Sequence, residues 1–255
     1  MVQKRYKFIG CEVVYREACY LAATSPNHVD VQFLKKGLHD LHRGDMLSKL
    51  QATIDAIDPA DRYEAILLGY ARCNDGLAGL TARSIPLVIP RAHDCITFFF
   101  GSRRAYQRYF DEHSGTYYMT SGWFERNNFD QNQYARPAYG KQGVMDKLGL
   151  AGSREELIAK YGEENAEFIL QSMGDWTRNY NTFLYLQMGV CDEREMIEET
   201  RREAAKRQFA FELRHGEMTL LKKLFEGPWD DDFVVVPPGQ HIVARNDEAI
   251  LDVAK

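Results

Sequence analysis

Apolar and polar positions divide the first part of the chain into strands and helices. Helical patterns follow the first apolar run, as EACYLAA, and occupy Met46–Ile57, which ends before Pro59. Short apolar runs or period-two alternations are typical of buried and half-buried strands. They occur at Lys7–Val14, His28–Leu34, Tyr63–Leu68 and Leu87–Ile89. This alternation of strand and helix predicts a parallel sheet wrapped by helices.

Further strand patterns occur in the second half of the chain. TYYMTS after Gly115 predicts a fifth strand, and Thr182–Met188 and Phe233–Val236 predict two more. We therefore predict an α/β fold with a mainly parallel, Rossmann-like sheet flanked by helices. Residues 1–255 form a single domain in this interpretation, and its second half folds back over the carboxyl edge of the first. A division into halves 1–112 and 113–255 is the alternative.

Two other segments carry weaker patterns. Asp192 with Glu195 begins a charged helical pattern, which predicts a long helix through about Arg214 that continues, after a break, to Phe225. Asn127–Gly143 is rich in Asn, Gln, Tyr and Gly, so we expect a long loop or lid there.

Cysteine and histidine residues stand where several predicted strands end. Cys11 closes the first run, Cys73 follows the third, and His93 and Cys95 follow the fourth in the segment IPRAHDC. Right-handed crossovers place the carboxyl ends of parallel strands at one edge of a sheet, where open α/β sheets bind ligands. We therefore expect these four residues to converge, near a pocket mouth lined by aromatic residues such as Tyr70.

Three thiols and an imidazole are a ligand set that zinc prefers. Cys11, Cys73, His93 and Cys95 are thus candidate zinc ligands, with His42 in reserve. An iron–sulfur cluster is less favoured, because its cysteine ligands usually stand closer together in sequence. In the plain alternative, the cysteines fill the core as small hydrophobic residues and His93 is a hydrogen-bonded corner residue.

Charged residues and glycines near the same edge are candidates for the remaining roles. Glu17 or Asp94 is a candidate proton carrier, and Arg91 can grip a carboxylate or phosphate. Gly76 and Gly79, in the loop GYARCNDGLAGL, are candidates for a tight turn facing a substrate or cofactor. The alternatives are a solvated glutamate at a helix start, a helix-capping aspartate and a plain salt bridge.

Composition narrows the class of partner. The chain has 255 residues, a net charge of −5 and a pI near 5.8, which gives no reason to expect nucleic acid or an anionic membrane as partner. Its five cysteines are widely spaced and odd in number, and no export signal or apolar run of membrane-spanning length is present. We expect a cytoplasmic protein with reduced thiols.

The segments LGYARCNDGLAGL, IPRAHDCITFFFGS and GTYYMTSGW, together with Cys11, resemble a prokaryotic family known as a domain of unknown function. That family occurs in methanogenic archaea and anaerobic bacteria, often near genes for corrinoid-dependent methyl transfer. The resemblance implies a small-molecule role in one-carbon metabolism. Corrinoid ligation of the usual kind is less favoured, because no DxHxxG signature is present.

The leading expectation is a metal-dependent enzyme, a transferase, lyase or hydrolase, acting on a small methylated or thiol-containing substrate. A non-enzymatic metal-binding or cofactor-binding accessory protein of a methyltransferase system is the second hypothesis. The third is a redox protein that uses Cys73 and Cys95 as a dithiol.

Overall fold

The β-branched and aromatic runs of the chain form ten strands in the computed structural model. The model describes residues 3–36, 38, 43–73, 75–126, 154–163, 165–166 and 180–255. The strands are β1 Arg5–Cys11, β2 His28–Leu34, β3 Ala65–Gly69, β4 Leu87–Pro90, β5 Thr116–Met119, β6 Thr182–Gln187, β7 Ala210–His215, β8 Phe233–Val236, β9 His241–Ala244 and β10 Leu251–Ala254. The expected loop at Asn127–Gly143, and His42, lie outside the described residues.

Eight α-helices of the described residues connect or cover these strands. They are α1 Tyr15–Thr24, α2 Arg43–Asp55, α3 Ile96–Phe99, α4 Arg103–Glu112, α5 Ser121–Glu125, α6 Arg154–Tyr161, α7 Arg194–Arg207 and α8 Thr219–Glu226. None of the helices in the described ranges is long and apolar enough to cross a membrane.

The first sheet has five strands in the order β2-β1-β3-β4-β8. Strands β1 to β4 pair in parallel, and β8 joins β4 antiparallel. The chain thus adds β2 on one side of β1 and β3 on the other, which makes a topological switch point between β1 and β3. The predicted α/β fold with a mainly parallel sheet is confirmed.

The second sheet consists of β5, β6 and β7 in that order, all parallel. The antiparallel pair β9–β10 forms a third, two-stranded sheet near the carboxyl terminus. The expected helix through Arg214 is wrong. Helix α7 ends at Arg207, Gln208 takes a left-handed φ of 60°, and Ala210–His215 pair with β6 as β7. Helix α8 is therefore a separate element.

The first strand is also shorter than its apolar run. It ends at Cys11, and Glu12–Val14 form a single 3₁₀ turn before α1. Gly122, just after β5, packs on this turn so closely that a Cβ atom there would lie 1.9 Å from the carbonyl oxygen of Val13. The segments that follow the carboxyl ends of β1 and β5 therefore meet.

Two hydrophobic clusters fill the described part of the molecule. The larger surrounds the first sheet and includes Phe8, Leu67 and Phe225, the last from α8. The smaller cluster lies at the second sheet and includes Phe183 and Ile197. The larger cluster also includes Leu184 and Leu186 of β6, so the core of the first sheet continues onto the second sheet.

Candidate functional site

Three cysteines lie at the carboxyl edge of the first sheet, on neighbouring strands. Cys11 is the last residue of β1, Cys73 follows β3, and Cys95 precedes α3 after β4. Because β3 lies between β1 and β4, these positions are adjacent across the sheet, at and beside the switch point. All three thiols are free. We refer to Cys11, Cys73 and Cys95 as the thiol centre.

Backbone hydrogen bonds hold the two loops of the thiol centre together. The amide of Arg72 donates to the carbonyl of Ala92 at 2.9 Å, and the amide of Cys73 donates to the carbonyl of His93 at 3.3 Å. Cys73 adopts a left-handed φ of 42°, a conformation that a residue with a Cβ atom rarely takes. Such strain persists only where the surrounding structure enforces it, and it is common at functional sites.

Burial makes the three thiols hard to ionise. It raises the pKa of Cys11 to about 11 and that of Cys73 to about 12, and raises the pKa of Cys95 well above its usual value. Negative charge on a neighbouring thiol raises the pKa of Cys73 and Cys95 further, so the thiols are within electrostatic range of one another. Lys36 acts in the opposite direction on Cys11 without offsetting burial. A bound cation is the kind of group that reverses this preference.

Tyr70 adds a hydroxyl to this edge. Its side chain is buried, and its Oη atom has no hydrogen-bond partner among the described residues. Burial raises its pKa, and Cys11 and Cys73 raise it further. The sequence marks Tyr70 only as an aromatic residue near a pocket mouth, because the position immediately after a strand does not reveal an unpaired hydroxyl.

Asp94 caps the helix after β4. Its Oδ1 accepts hydrogen bonds from the amides of Ile96 at 3.0 Å and Thr97 at 3.4 Å, and its Oδ2 accepts one from the Tyr106 hydroxyl at 2.7 Å. Burial raises the pKa of Asp94, and these hydrogen bonds lower it. The helix-capping interpretation is thus confirmed, and a role in proton transfer stays a prediction.

The imidazole of His93 is exposed, although its carbonyl binds the Cys73 loop. No group of three or more His, Cys, Asp or Glu side chains within the described ranges is already arranged to hold a metal ion. Metal binding by Cys11, Cys73, His93 and Cys95 therefore stays a prediction, and it requires the side chains to turn toward a common point.

Arg91 binds main-chain atoms near the carboxyl terminus. Its Nη1 donates to the carbonyl of Ala249 at 2.8 Å and to that of Leu251. These contacts fasten β10 to the end of β4. If Arg91 binds an anionic group as predicted, it must do so while keeping these two hydrogen bonds.

The two loop glycines pack against protein atoms. A Cβ atom at Gly76 would lie 2.3 Å from the Met46 sulfur of α2. Gly79 has a φ of 97°, and its amide donates to the carbonyl of Ile242 at 2.7 Å. Gly76 therefore allows the close approach of α2, and Gly79 allows the left-handed backbone of the turn. Their contact with a cofactor stays a prediction.

Glu17 lies in a different environment from the thiols. Its side chain is fully buried in α1, and neither carboxylate oxygen has a hydrogen-bond partner among the described residues. Burial raises its pKa to about 8, and Glu193 and Glu125 raise it while Arg16 lowers it. Glu193 follows β6, Glu125 follows β5, and Arg16 belongs to α1. We refer to Glu17, Glu125 and Glu193 as the acidic cluster.

The other two carboxylates of the acidic cluster have partners. Glu193 accepts hydrogen bonds from the amides of Met188 at 3.1 Å and Gly189 at 2.7 Å. Glu125 accepts hydrogen bonds from Arg16 Nε at 2.9 Å and Nη2 at 2.5 Å. Cys191 stands beside them, and burial followed by Glu193 raises its pKa to about 11. The sequence predicts Glu17 near Cys11, and no local pattern indicates Glu193 or Glu125.

A family model described as "Protein of unknown function (DUF1638)" matches residues 33–225, which is more than half of the chain. The chain belongs to this family. The match includes Cys73, His93, Cys95 and the segment after β6, while Cys11 and Glu17 precede it. Comparison with curated proteins and with solved structures finds no significant match. The family therefore accords with the resemblance to a domain of unknown function and assigns no reaction.

Proposed function

We propose that the thiol centre binds zinc and that the protein is a metal-dependent enzyme acting on a small methylated or thiol-containing molecule. The observation that supports this most is the alignment of Cys11, Cys73 and Cys95 at the ends of three neighbouring strands, within electrostatic range of one another. In open α/β sheets this edge binds ligands. Three thiolates around zinc leave a fourth position for His93, a water molecule or a substrate thiol.

The proposed reaction is methyl transfer, or else lyase or hydrolase chemistry, in one-carbon metabolism in the cytoplasm. Zinc would supply Lewis acidity and hold a substrate thiol as its thiolate. The Tyr70 hydroxyl is buried beside two of the thiols and can donate a hydrogen bond to a ligand there. The resemblance to a family whose genes often lie near those for corrinoid-dependent methyl transfer also leads us to propose a protein of a methyltransferase system as a partner.

Metal analysis of the purified protein tests this proposal. We expect about one zinc ion per chain, bound by four protein ligands as in structural sites or by three as in catalytic sites. Cys11→Ser, Cys73→Ser and Cys95→Ser should each lower zinc affinity by more than about tenfold, because each removes one thiolate ligand. Cys19→Ser is the matched control, since Cys19 lies on α1 away from the strand ends.

Zinc that survives all three substitutions would contradict the proposal. His93→Gln adds a separate arm: reduced zinc affinity would assign the fourth position to the imidazole, whereas unchanged affinity would leave that position to water or substrate. Circular dichroism of each variant shows whether the fold is intact. Loss of zinc counts only for variants that keep the wild-type spectrum.

The same proximity also supports a dithiol function for Cys73 and Cys95, because Cys73 is close enough to raise the pKa of Cys95. Titration of thiols with a colorimetric disulfide reagent, before and after mild oxidation, separates the two functions. A dithiol protein without zinc should lose two thiols on oxidation and recover them on reduction. A zinc enzyme should retain its metal-protected thiols. Zinc binding without turnover would instead favour an accessory protein.

A further inference from the structure

A polar cavity opens beside the thiol centre. Its volume is about 860 Å³, and its wall includes Arg72, His93, Arg103, Arg104, Asp247 and Glu248. Arg72 directly precedes Cys73, and His93 stands two residues before Cys95. The hydrogen bond from the Cys73 amide to the His93 carbonyl joins the two loops that carry these residues. A ligand in the cavity would therefore contact the same two loops that carry two of the thiols.

The arginines of the cavity include two in an unfavourable helix position. Arg103 and Arg104 occupy the first turn of α4, and no acidic residue accompanies them there. The partial positive charge of a helix amino terminus disfavours cations at this end. A local arrangement that costs stability in this way is typical of functional positions. An anion between these side chains would turn the unfavourable contacts into favourable ones.

The carboxyl-terminal segment holds two of the arginines in place. Arg72 Nη1 donates to the carbonyl of Arg245 at 2.7 Å, and its Nη2 donates to Asn246 Oδ1 at 2.9 Å. Arg103 Nη1 donates to the carbonyl of Glu248. Arg104 is exposed at the rim. The cavity thus combines two guanidinium groups held by hydrogen bonds with one exposed guanidinium group at its rim.

Acidic residues reduce this positive charge only in part. Arg245 pairs with Asp247, with Nη2 and Oδ2 2.8 Å apart, and Arg72 pairs with Asp75. The Glu248 carboxylate repels a bound anion, while the guanidinium groups of Arg103 and Arg104 attract one. The sum is a positive wall.

We propose that this cavity binds a phosphate group carried by the small-molecule substrate. As an assignment of substrate class it rests on the proposed function, since it takes the ligand to be the molecule that reacts at the thiol centre. Arginine forks match phosphate geometry and bind it with paired hydrogen bonds. The cavity is a second candidate for anion binding, separate from Arg91, whose Nη1 donates to the carbonyls of Ala249 and Leu251.

Calorimetric titration of the purified full-length protein with inorganic phosphate and with glycerol phosphate tests the inference. We expect binding of both, tighter for the ester, at a fixed ionic strength. Arg104→Ala and Arg103→Ala should each weaken binding by about tenfold, since each removes a charge-assisted hydrogen bond. Glu248→Gln should tighten it about threefold by removing an opposing exposed charge.

Arg108→Ala is the matched control, because Arg108 belongs to the same helix but lines a different cavity. It should bind phosphate as the wild type does. Equal weakening by Arg108→Ala and Arg104→Ala, or no binding of phosphate to the wild type, would overturn the inference. Acetate binding as tightly as glycerol phosphate would overturn the assignment to phosphate. Because Arg104 is exposed, its substitution should leave the fold unchanged.

The titration separates this inference from the zinc proposal when Cys95→Ser is included. If Cys95→Ser has lost zinc but still binds phosphate, the assignment of phosphate to the cavity is still supported. The loss then bears on the metal proposal alone. If Arg103→Ala and Arg104→Ala retain zinc and bind phosphate with wild-type affinity, phosphate does not bind in this cavity. The zinc proposal is then unaffected. The two proposals can therefore fail independently.

Discussion

The thiol centre and the acidic cluster occupy comparable positions on two different sheets. Cys11, Cys73 and Cys95 lie where strands of the first sheet end, and Glu125 and Glu193 follow strands of the second. Each group collects ionisable side chains of one sign in a buried place. They differ in their partners: protein groups already compensate most of the acidic cluster, whereas the thiol centre is the site at which we propose a cation.

Hydrogen bonds and an ion pair within the protein compensate the negative charge of two of the three carboxylates in the acidic cluster. Arg16 pairs with Glu125, and backbone amides bind Glu193, so Glu17 is the member without a partner among the described residues. In the thiol centre, ionisation of one member makes ionisation of its neighbours harder. Protonation is enough to remove the uncompensated charge of Glu17. Several neighbouring thiols, in contrast, can ionise together only when a cation binds them.

The largest expected effect concerns Glu17 and pH. Its folded-state pKa of about 8 exceeds its ordinary value of 4.5, so the folded state holds a proton that the unfolded state loses between these values. The free energy of unfolding should therefore fall by about 1.4 kcal/mol per pH unit from pH 4.5 to 8. Glu17→Gln should remove this slope in urea unfolding measured across that range.

Glu195→Gln is the control for this prediction, because Glu195 is exposed on α7. It should keep the wild-type dependence on pH. A slope that persists in Glu17→Gln would mean that another group holds the proton, and the distinction between the two sites would lose its main support.

The next effect concerns the contact between the sheet edges. Gly122→Ala would place a methyl group 1.9 Å from the Val13 carbonyl oxygen, and backbone atoms on both sides must then move. We expect a loss of about 2–3 kcal/mol in the free energy of unfolding, as for other overpacked sites. Gly44→Ala, with nothing within 4 Å of the added Cβ atom, should be neutral or slightly stabilising. Equal melting temperatures for the two variants would show that the edges do not depend on this contact.

The smallest effect concerns Asp94, beside the thiol centre. Asp94→Ala removes the helix cap and the hydrogen bond from Tyr106, so the free energy of unfolding should fall by about 1–2 kcal/mol. Asp111→Ala, an exposed change on α4, should cost much less. Asp94→Asn should retain part of the cap. Wild-type stability of Asp94→Ala in denaturant unfolding would remove the capping interpretation.

The sequence indicates the thiol centre better than the acidic cluster for a physical reason. Cys11, Cys73 and Cys95 each follow a local strand pattern, so a parallel sheet is enough to bring them to one edge. The order of the strands, which makes β3 the neighbour of both β1 and β4, depends on packing across the whole sheet. Glu17 meets Glu125 and Glu193 only through the approach of a second sheet, which no local pattern specifies.

The second half of the chain shows the same limit. AFELRH has residues that suit a helix, yet it forms β7 because Gln208 ends α7 and β6 offers a free edge. The pair β9–β10 was not predicted at all, although its flanking segment positions Arg72 and Arg103. Pairing with distant segments decides both elements, so their structure follows from the tertiary fold rather than from local propensity.

X-ray absorption at the zinc edge of the protein loaded with one equivalent of zinc tests the central claim most directly. The thiol centre predicts about three sulfur neighbours at about 2.3 Å from the metal. Replacement of Cys73 by Ser should lower that number by one, and Cys19→Ser should leave it unchanged. A first shell made only of nitrogen and oxygen, at about 2.0–2.1 Å, would contradict the account.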